Sequence, residues 1–196
     1  YESDVAYNPN SNQYLVVWSG NNEINNINEP DREIYGQRIS GSTGNPIGTN
    51  DFTISTADVD PNDGKAAYAP KVVHNSVNNE YLVTWHGDHT QTGWNEREVF
   101  AQRISSTGAQ IGIDDYRISD MGPNGDNTTV GLHSDVAYNP ANNQYAVVWW
   151  GSEISGEHEI YLQRLSSTLT QLGTNDQEIS SFTPLGRASN PRIVYN

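Results

Sequence analysis

The chain has 196 residues, 10 Lys+Arg against 24 Asp+Glu for a formal charge of −14, 34% hydrophobic residues and no cysteine. Its length is enough for folding to bury roughly 70% of the unfolded surface, while the charge argues against a nucleic-acid binder, whose phosphate contacts need Lys and Arg, and against docking on anionic lipid. Without cysteine there is no disulfide framework, no thiolate nucleophile and no Cys-type zinc site; the longest apolar runs, Tyr14–Trp18 and Ala146–Trp150, fall far short of the roughly 18 residues of a membrane span.

Read in chain order, the sequence is one unit repeated. Asp4-Val-Ala-Tyr-Asn8 opens it, and returns as Lys71–Asn75, Asp135–Asn139 and Arg192–Asn196, at offsets of 67, 64 and 57 residues. A second segment, Gln13–Trp18, matches Glu80–Trp85 and Gln144–Trp149. A third, Glu33–Ile39, matches Glu98–Ile104 and Glu159–Leu165, and a fourth, Asp51–Ser55, matches Asp115–Ser119 and Gln177–Ser180. Each is short, rich in Val, Ile, Tyr, Trp and Thr, and bounded by Asn, Gly, Pro or Ser, which predicts strands. Asn8–Asn12, Asn139–Asn143, Ser42–Gly44 and Ser106–Gly108 supply hairpin-turn chemistry, because Pro presets φ and Asn and Gly tolerate left-handed geometry.

Four antiparallel strands per unit, repeated head to tail, predict an all-β fold of β-propeller-like blades, with three full repeats plus the first strand of a fourth. The expected bounds are about 4–56, 70–120 and 134–181, with the extra strand at 191–196. In Tyr14–Trp18 both alternating sets are apolar, as in a sheet sandwiched between neighbours. A two-sheet sandwich is the competing architecture. Propellers close with about four to eight blades, so three blades and a strand predict either a piece of a longer propeller or association of copies. Arg192, Ile193, Val194 and Tyr195 are then the assembly strand, adding to another sheet. The first residues lack the basic and apolar regions of a signal peptide, which suggests a mature form or a fragment.

In such blades the loops after strands two and four share one rim, vary between copies and carry −8 of the −14 charge. That rim is the expected binding face, for a cation or a cationic or polyhydroxyl surface, with solubility as the alternative role of the charge. Asp58, Asp60, Asn62 and Asp63 form an Asx-rich loop suited to Ca²⁺, although its glycine is displaced from the EF-hand position and no Glu closes it. His86 and Asp88 suit a metal only as an isolated pair. Glu96 and Glu98 have the look of a glycosidase dyad, a pattern common in acidic β proteins. No nucleophile elbow, His-Glu-x-x-His pair or phosphate loop occurs, so the sequence predicts no enzyme. Trp18, Trp85 and Trp149 hold one repeat position and are expected in the core, whereas Trp94 and Trp150 lie off the pattern and are candidates for stacking on a glycan. The repeated pairs Gln37/Arg38, Gln102/Arg103 and Gln163/Arg164 lie inside a strand and are assigned a structural role.

The run Glu33-Ile-Tyr-Gly-Gln-Arg-Ile-Ser40, a Gly-containing turn, Ile47-Gly-Thr-Asn-Asp-Phe52, and the Val-Ala-Tyr-Asn and Tyr-Leu-Val-Val-Trp strands resemble the tandem repeats of large secreted bacterial surface and adhesin-like proteins. The resemblance implies an extracellular or cell-surface, often calcium-associated adhesive or structural array, while the incomplete fourth blade carries the expectation of a homo-oligomer or polymer, or of the remaining blades of a longer chain. Asn127-Thr-Thr129 is a glycosylation sequon consistent with that setting. The first functional expectation is a non-enzymatic structural or adhesive repeat protein, and the alternative a glycan-binding, lectin-like propeller.

Overall fold

The computed structural model describes residues 2–21, 32–56, 66–88, 96–152, 157–182 and 186–196. Twelve strands form three four-stranded antiparallel sheets, each in simple sequential order. The first blade contains β1 (Ser3–Asn8), β2 (Gln13–Gly20), β3 (Glu33–Ser40) and β4 (Pro46–Thr53). The second contains β5 (Ala67–Asn75), β6 (Glu80–Asp88), β7 (Arg97–Ser105) and β8 (Gln110–Arg117), and the third β9 (Val130–Asn139), β10 (Gln144–Ser152), β11 (Glu159–Ser166) and β12 (Gln171–Glu178). The first strands of successive blades lie against one another, β1 on β5 and β5 on β9, so they are the innermost strands of a propeller-like array. Three sheets stacked face to face with two separate cores exclude the two-sheet sandwich.

Alternation of side chains explains the stacking. In the first core, Leu15, Val17, Ile34 and Ile54 of blade 1 meet Tyr81, Val83, Trp85, Phe100 and Ile104 of blade 2. In the second, Leu82, Val99, Ala101 and Ile118 from the other face of blade 2 meet Tyr145, Val147, Trp149, Tyr161 and Leu165 of blade 3. The middle blade is covered on both sides, and every residue of β6 is buried. Trp85 and Trp149 fill the two interfaces as the repeat position predicts, whereas Trp18 is only half-buried because its face of blade 1 meets no neighbouring sheet among the described residues. Full burial of one indole removes on the order of 200 Å² from water, roughly 5 kcal/mol at about 25 cal/mol per Å².

The fourth strands begin earlier than the sequence suggests, because each ladder continues past an irregularity that breaks its apolar pattern. The pairing shifts register between Gly36/Arg38, Ala101/Arg103 and Leu162/Arg164. A glycine with positive φ (Gly48, Gly112, Gly173) and a left-handed aspartate (Asp51, Asp115, Asp176) accommodate the shift. The repeated glutamine fills the gap. Gln102 Nε2 donates to the carbonyls of Arg103 (3.1 Å) and Ile111 (3.2 Å), while its Oε1 accepts from Asp115 N (3.2 Å). Gln37 and Gln163 make the same three contacts in their own blades. The structural role expected for these glutamines is therefore the restoration of ladder bonds at a bulge.

A second repeated device ties each third strand to the chain leaving the fourth. Ser55, Ser119 and Ser180 donate short hydrogen bonds to Glu33, Glu98 and Glu159. The same three hydroxyls accept from the backbone N–H of Ile34, Val99 and Ile160, each at 2.8 Å. Pro191–Asn196 departs from expectation: it forms no ladder, although Ile193 N donates to Asp135 Oδ2 at 2.9 Å just as Val72 N donates to Asp4 Oδ2 at 2.9 Å between blades 1 and 2. Arg192, Ile193, Val194 and Tyr195 thus sit beside β9 where an innermost strand belongs. A first strand pairs with the second strand of its own blade, and the tail meets no such strand among the described residues, so Val194 is 85% exposed.

Candidate functional site

The innermost strands share one further irregularity, at the end nearest the variable loops. In β5 the residues Ala69 and Pro70 stand opposite the single residue Trp85, between the pairs Tyr68↔His86 and Lys71↔Thr84. In β9, His133 and Ser134 stand opposite Trp149. Ala69 and His133 are left-handed, with φ of 50° each, and Asn190 at the same repeat position has φ 51°. Glu2 holds that position in blade 1. Bulges re-aim side chains at the rims of sheets, and here they set Ala69 and His133, with the repeat-equivalent Glu2 and Asn190 that lie outside any bulge, on two adjoining depressions. Proline at position 70 or 191 sacrifices no ladder bond in such a place.

The first depression, of about 320 Å³, is lined by Glu2, Arg32, Tyr68, His86, Arg97 and His133 among others. The second, of about 360 Å³, shares Glu2 and His133 and adds Lys71, Asn190 and Arg192. Both volumes lie within the range of ligand pockets, roughly 300–1,000 Å³. Together they form a mouth at the innermost strands on the variable-loop rim.

Aromatic rings run in a row beneath it. Tyr68 stacks on His86 (5.7 Å), His86 meets His133 (4.9 Å), His133 stacks on Trp150 (6.2 Å), and Trp150 stacks on His158 (4.4 Å). The guanidinium groups of Arg32 and Arg97 each lie 5.5 Å from the centroid of Tyr68. His86 is the buried member, and burial, reinforced by His133 and Arg97, pulls its imidazole down to about 3. It is neutral at ordinary pH, in keeping with its Nδ1 accepting a hydrogen bond from His133 N at 3.2 Å. Burial and Arg187 also lower His158.

Trp150 lines neither depression and is linked to the mouth through its stack on His133, whereas Arg192 lines the second depression from the tail. Trp94 and the calcium candidates Asp58, Asp60, Asn62 and Asp63 lie outside the described residues. Among the described residues no group of three or more His, Asp or Glu has the geometry to hold a metal ion. Glu96 and Glu98 do come together, but around a cation. Arg117 Nη2 donates to Glu96 Oε1 (3.0 Å), Glu98 Oε1 (2.8 Å) and Asp120 Oδ1 (2.8 Å). Burial raises both glutamates above the ordinary carboxylate range. Glu98 is further held by Ser119 and by Met121 N (2.8 Å), so this pair anchors the chain after β8.

No family model matches the chain, and no curated protein does. Solved structures share its fold. An exo-β-1,3-galactanase from Clostridium thermocellum superposes with a TM-score of 0.54 at 13% identity, over 86% of this chain and 35% of that one. An N-acetylgalactosamine deacetylase from F. plautii, in complex with blood group B trisaccharide, superposes with a TM-score of 0.53 at 13% identity, over 93% of this chain and 54% of that one. The chain therefore spans about a third to a half of these structures, which support the propeller-like class. The expectation of a non-enzyme is overturned by the same finding: two enzymes carry this fold, and a missing sequence motif for nucleophile or general acid gives no ground for excluding catalysis.

Proposed function

We propose that the chain is part of a carbohydrate-directed β-propeller whose saccharide site is the mouth at the innermost strands. The observation that carries this reading is the row of rings from Tyr68 to Trp150 beside depressions lined by ionic and amide side chains. Sugar rings present one apolar face and a rim of hydroxyls, and a stacking ring flanked by Arg, His, Glu and Asn meets both needs. The galactanase and the saccharide-bound deacetylase support it as proteins of like fold that act on or hold sugars. The test is a broad glycan panel followed by calorimetry on the hits, with Tyr68→Ala and Trp150→Ala expected to weaken binding at least about tenfold. Reducing-end release in the same mixtures separates binding from hydrolysis. A panel with no binder overturns the reading.

A second reading, about partners, rests on the two ends of the array. Among the described residues blade 1 leaves Tyr14, Val16, Trp18 and Tyr35 without a neighbouring sheet, the counterparts of Tyr81, Val83, Trp85 and Phe100, which are buried in the first core. Blade 3 leaves Ile160, Leu162 and Ile179 on its outer face, the last 51% exposed, where the counterpart Ile118 is fully buried. One end therefore presents the face that the other end accepts, and the partner is a further blade of this repeat, from a second copy or from the rest of a longer chain. Native mass by light scattering tests the second copy. A strictly monomeric mass at all concentrations removes it.

A further inference from the structure

We propose that the saccharide taken by this mouth is anionic, a chain carrying carboxylates such as a uronic-acid oligosaccharide. The inference rests on the carbohydrate reading above and adds the charge of its substrate. In a chain with only 10 Lys+Arg and a formal charge of −14, four cations, Arg32, Lys71, Arg97 and Arg192, line the two depressions. The acids that answer two of them, Arg97 and Arg192, are set back. Arg97 Nε lies 3.9 Å from Asp88 Oδ2, with side-chain exposures of 44% and 6%, and Arg192 Nη1 lies 3.9 Å from Asp135 Oδ1, at 70% and 15%. At these separations the pairs are loose, and the guanidinium groups front the solvent while the carboxylates stand behind them. Asp88 and Asp135 thereby orient the cations while leaving donor edges turned outward, and a guanidinium fork matches a carboxylate in a bidentate way that an ammonium does not.

Arg32 and Arg97 both lie over Tyr68, so two guanidinium groups converge on one ring of the first depression. Glu2 is the one exposed carboxylate among the described residues lining the mouth, 4.0 Å from Lys71 Nζ and 3.9 Å from His133 Nδ1. It suits hydroxyl recognition, and it opposes an anion.

The experiment is calorimetric titration with tetragalacturonate and with its fully methyl-esterified, uncharged form. Wild type is expected to bind the charged form about tenfold more tightly, with the advantage shrinking as salt rises from 50 to 500 mM. The Arg97→Gln/Arg192→Gln double variant, altered at exposed side chains, is expected to lose that advantage, weakening the charged form about tenfold more than the esterified form. Glu2→Gln is expected to raise the ratio of charged-form to esterified-form affinity. Equal affinity of wild type for both forms overturns the anionic proposal and leaves the carbohydrate reading standing. Binding of neither form, with a blank glycan panel, overturns both.

Discussion

The backbone N–H of His133 donates to Nδ1 of His86 across 3.2 Å, joining the innermost strand of the third blade to the second strand of the second blade. The bond requires an unprotonated Nδ1, and it lies under the mouth between Tyr68 and His133. Blade packing and the shape of the site are therefore linked through one imidazole. In the folded chain burial holds His86 down to about 3, against an ordinary value of 6.5. The unfolded chain takes up this proton first, so the contribution of His86 to stability is complete above about pH 6.5 and is lost as pH falls towards 3. Between pH 7 and 5 wild type should lose about 2 kcal/mol that His86→Gln does not lose, at about 1.4 kcal/mol per pH unit. Urea unfolding of both proteins at the two pH values measures it, and parallel pH dependences would show that His86 is not the group responsible.

Gln102 is buried within the bulge of blade 2, where it answers two carbonyls and one N–H. Gln102→Leu keeps the volume and removes all three partners. Unsatisfied buried groups cost about 1–3 kcal/mol each, and partial relaxation of the bulge should leave a net loss of about 3 kcal/mol. Glutamate at the same position accepts from Asp115 N but cannot donate, so Gln102→Glu should be no better. A denaturation midpoint within error of wild type for Gln102→Leu would mean that the bulge is held by the glycine and aspartate conformations alone.

The strands, the two-faced apolar pattern and the repeat positions of Trp85, Trp149 and the glutamines were legible in the sequence because each recurs with the same chemistry. The mouth was not. Glu2, Ala69, His133 and Asn190 share a repeat position and nothing else, so comparing repeats passes over them. Left-handed geometry is signalled in sequence by glycine, and none of the left-handed Ala69, His133 and Asn190 is glycine. The pairing of Tyr68 with His86, and of His86 with His133, arises from antiparallel register and from blade-on-blade contact, which only the folded chain displays. Charge was legible only in part: the loop sums include Arg32 and Arg97 but not Lys71 and Arg192, which reach the mouth from β5 and the tail.

Trp149 is fully buried between blades 2 and 3, while its counterpart Trp18 is half-buried on the open face of blade 1, stacked on Tyr35 at 6.3 Å. Trp149→Ala should cost about 3–5 kcal/mol through lost burial and the cavity left behind. In dilute solution Trp18→Ala should cost less than half as much. At concentrations where light scattering shows association, the cost of Trp18→Ala should grow and the associated mass should fall, because the open face is then covered. A Trp18→Ala penalty that ignores concentration would detach this face from any assembly.

Arg117 sets the last expectation, because its Nη2 is the shared partner of Glu96, Glu98 and Asp120. Both glutamates are fully buried, and burial already raises them above the carboxylate range, with Arg117 working in the opposite direction. Arg117→Met leaves two buried carboxylates without their cation and should cost about 3–5 kcal/mol at pH 7. Their folded-state values then rise further above the unfolded 4.5. A raised carboxylate takes up protons in the fold before it does so in the unfolded chain, so the variant should recover stability relative to wild type as pH falls from 7 towards 4.5. Referring each measurement to wild type at the same pH cancels the opposing loss from His86. Urea midpoints at pH 7, 6 and 5 therefore decide whether Arg117 acts as a charge partner. A deficit that stays constant with pH would instead assign its role to the hydrogen bonds it donates to Ser119 O (2.8 Å) and Asn124 Oδ1 (2.8 Å), which do not titrate.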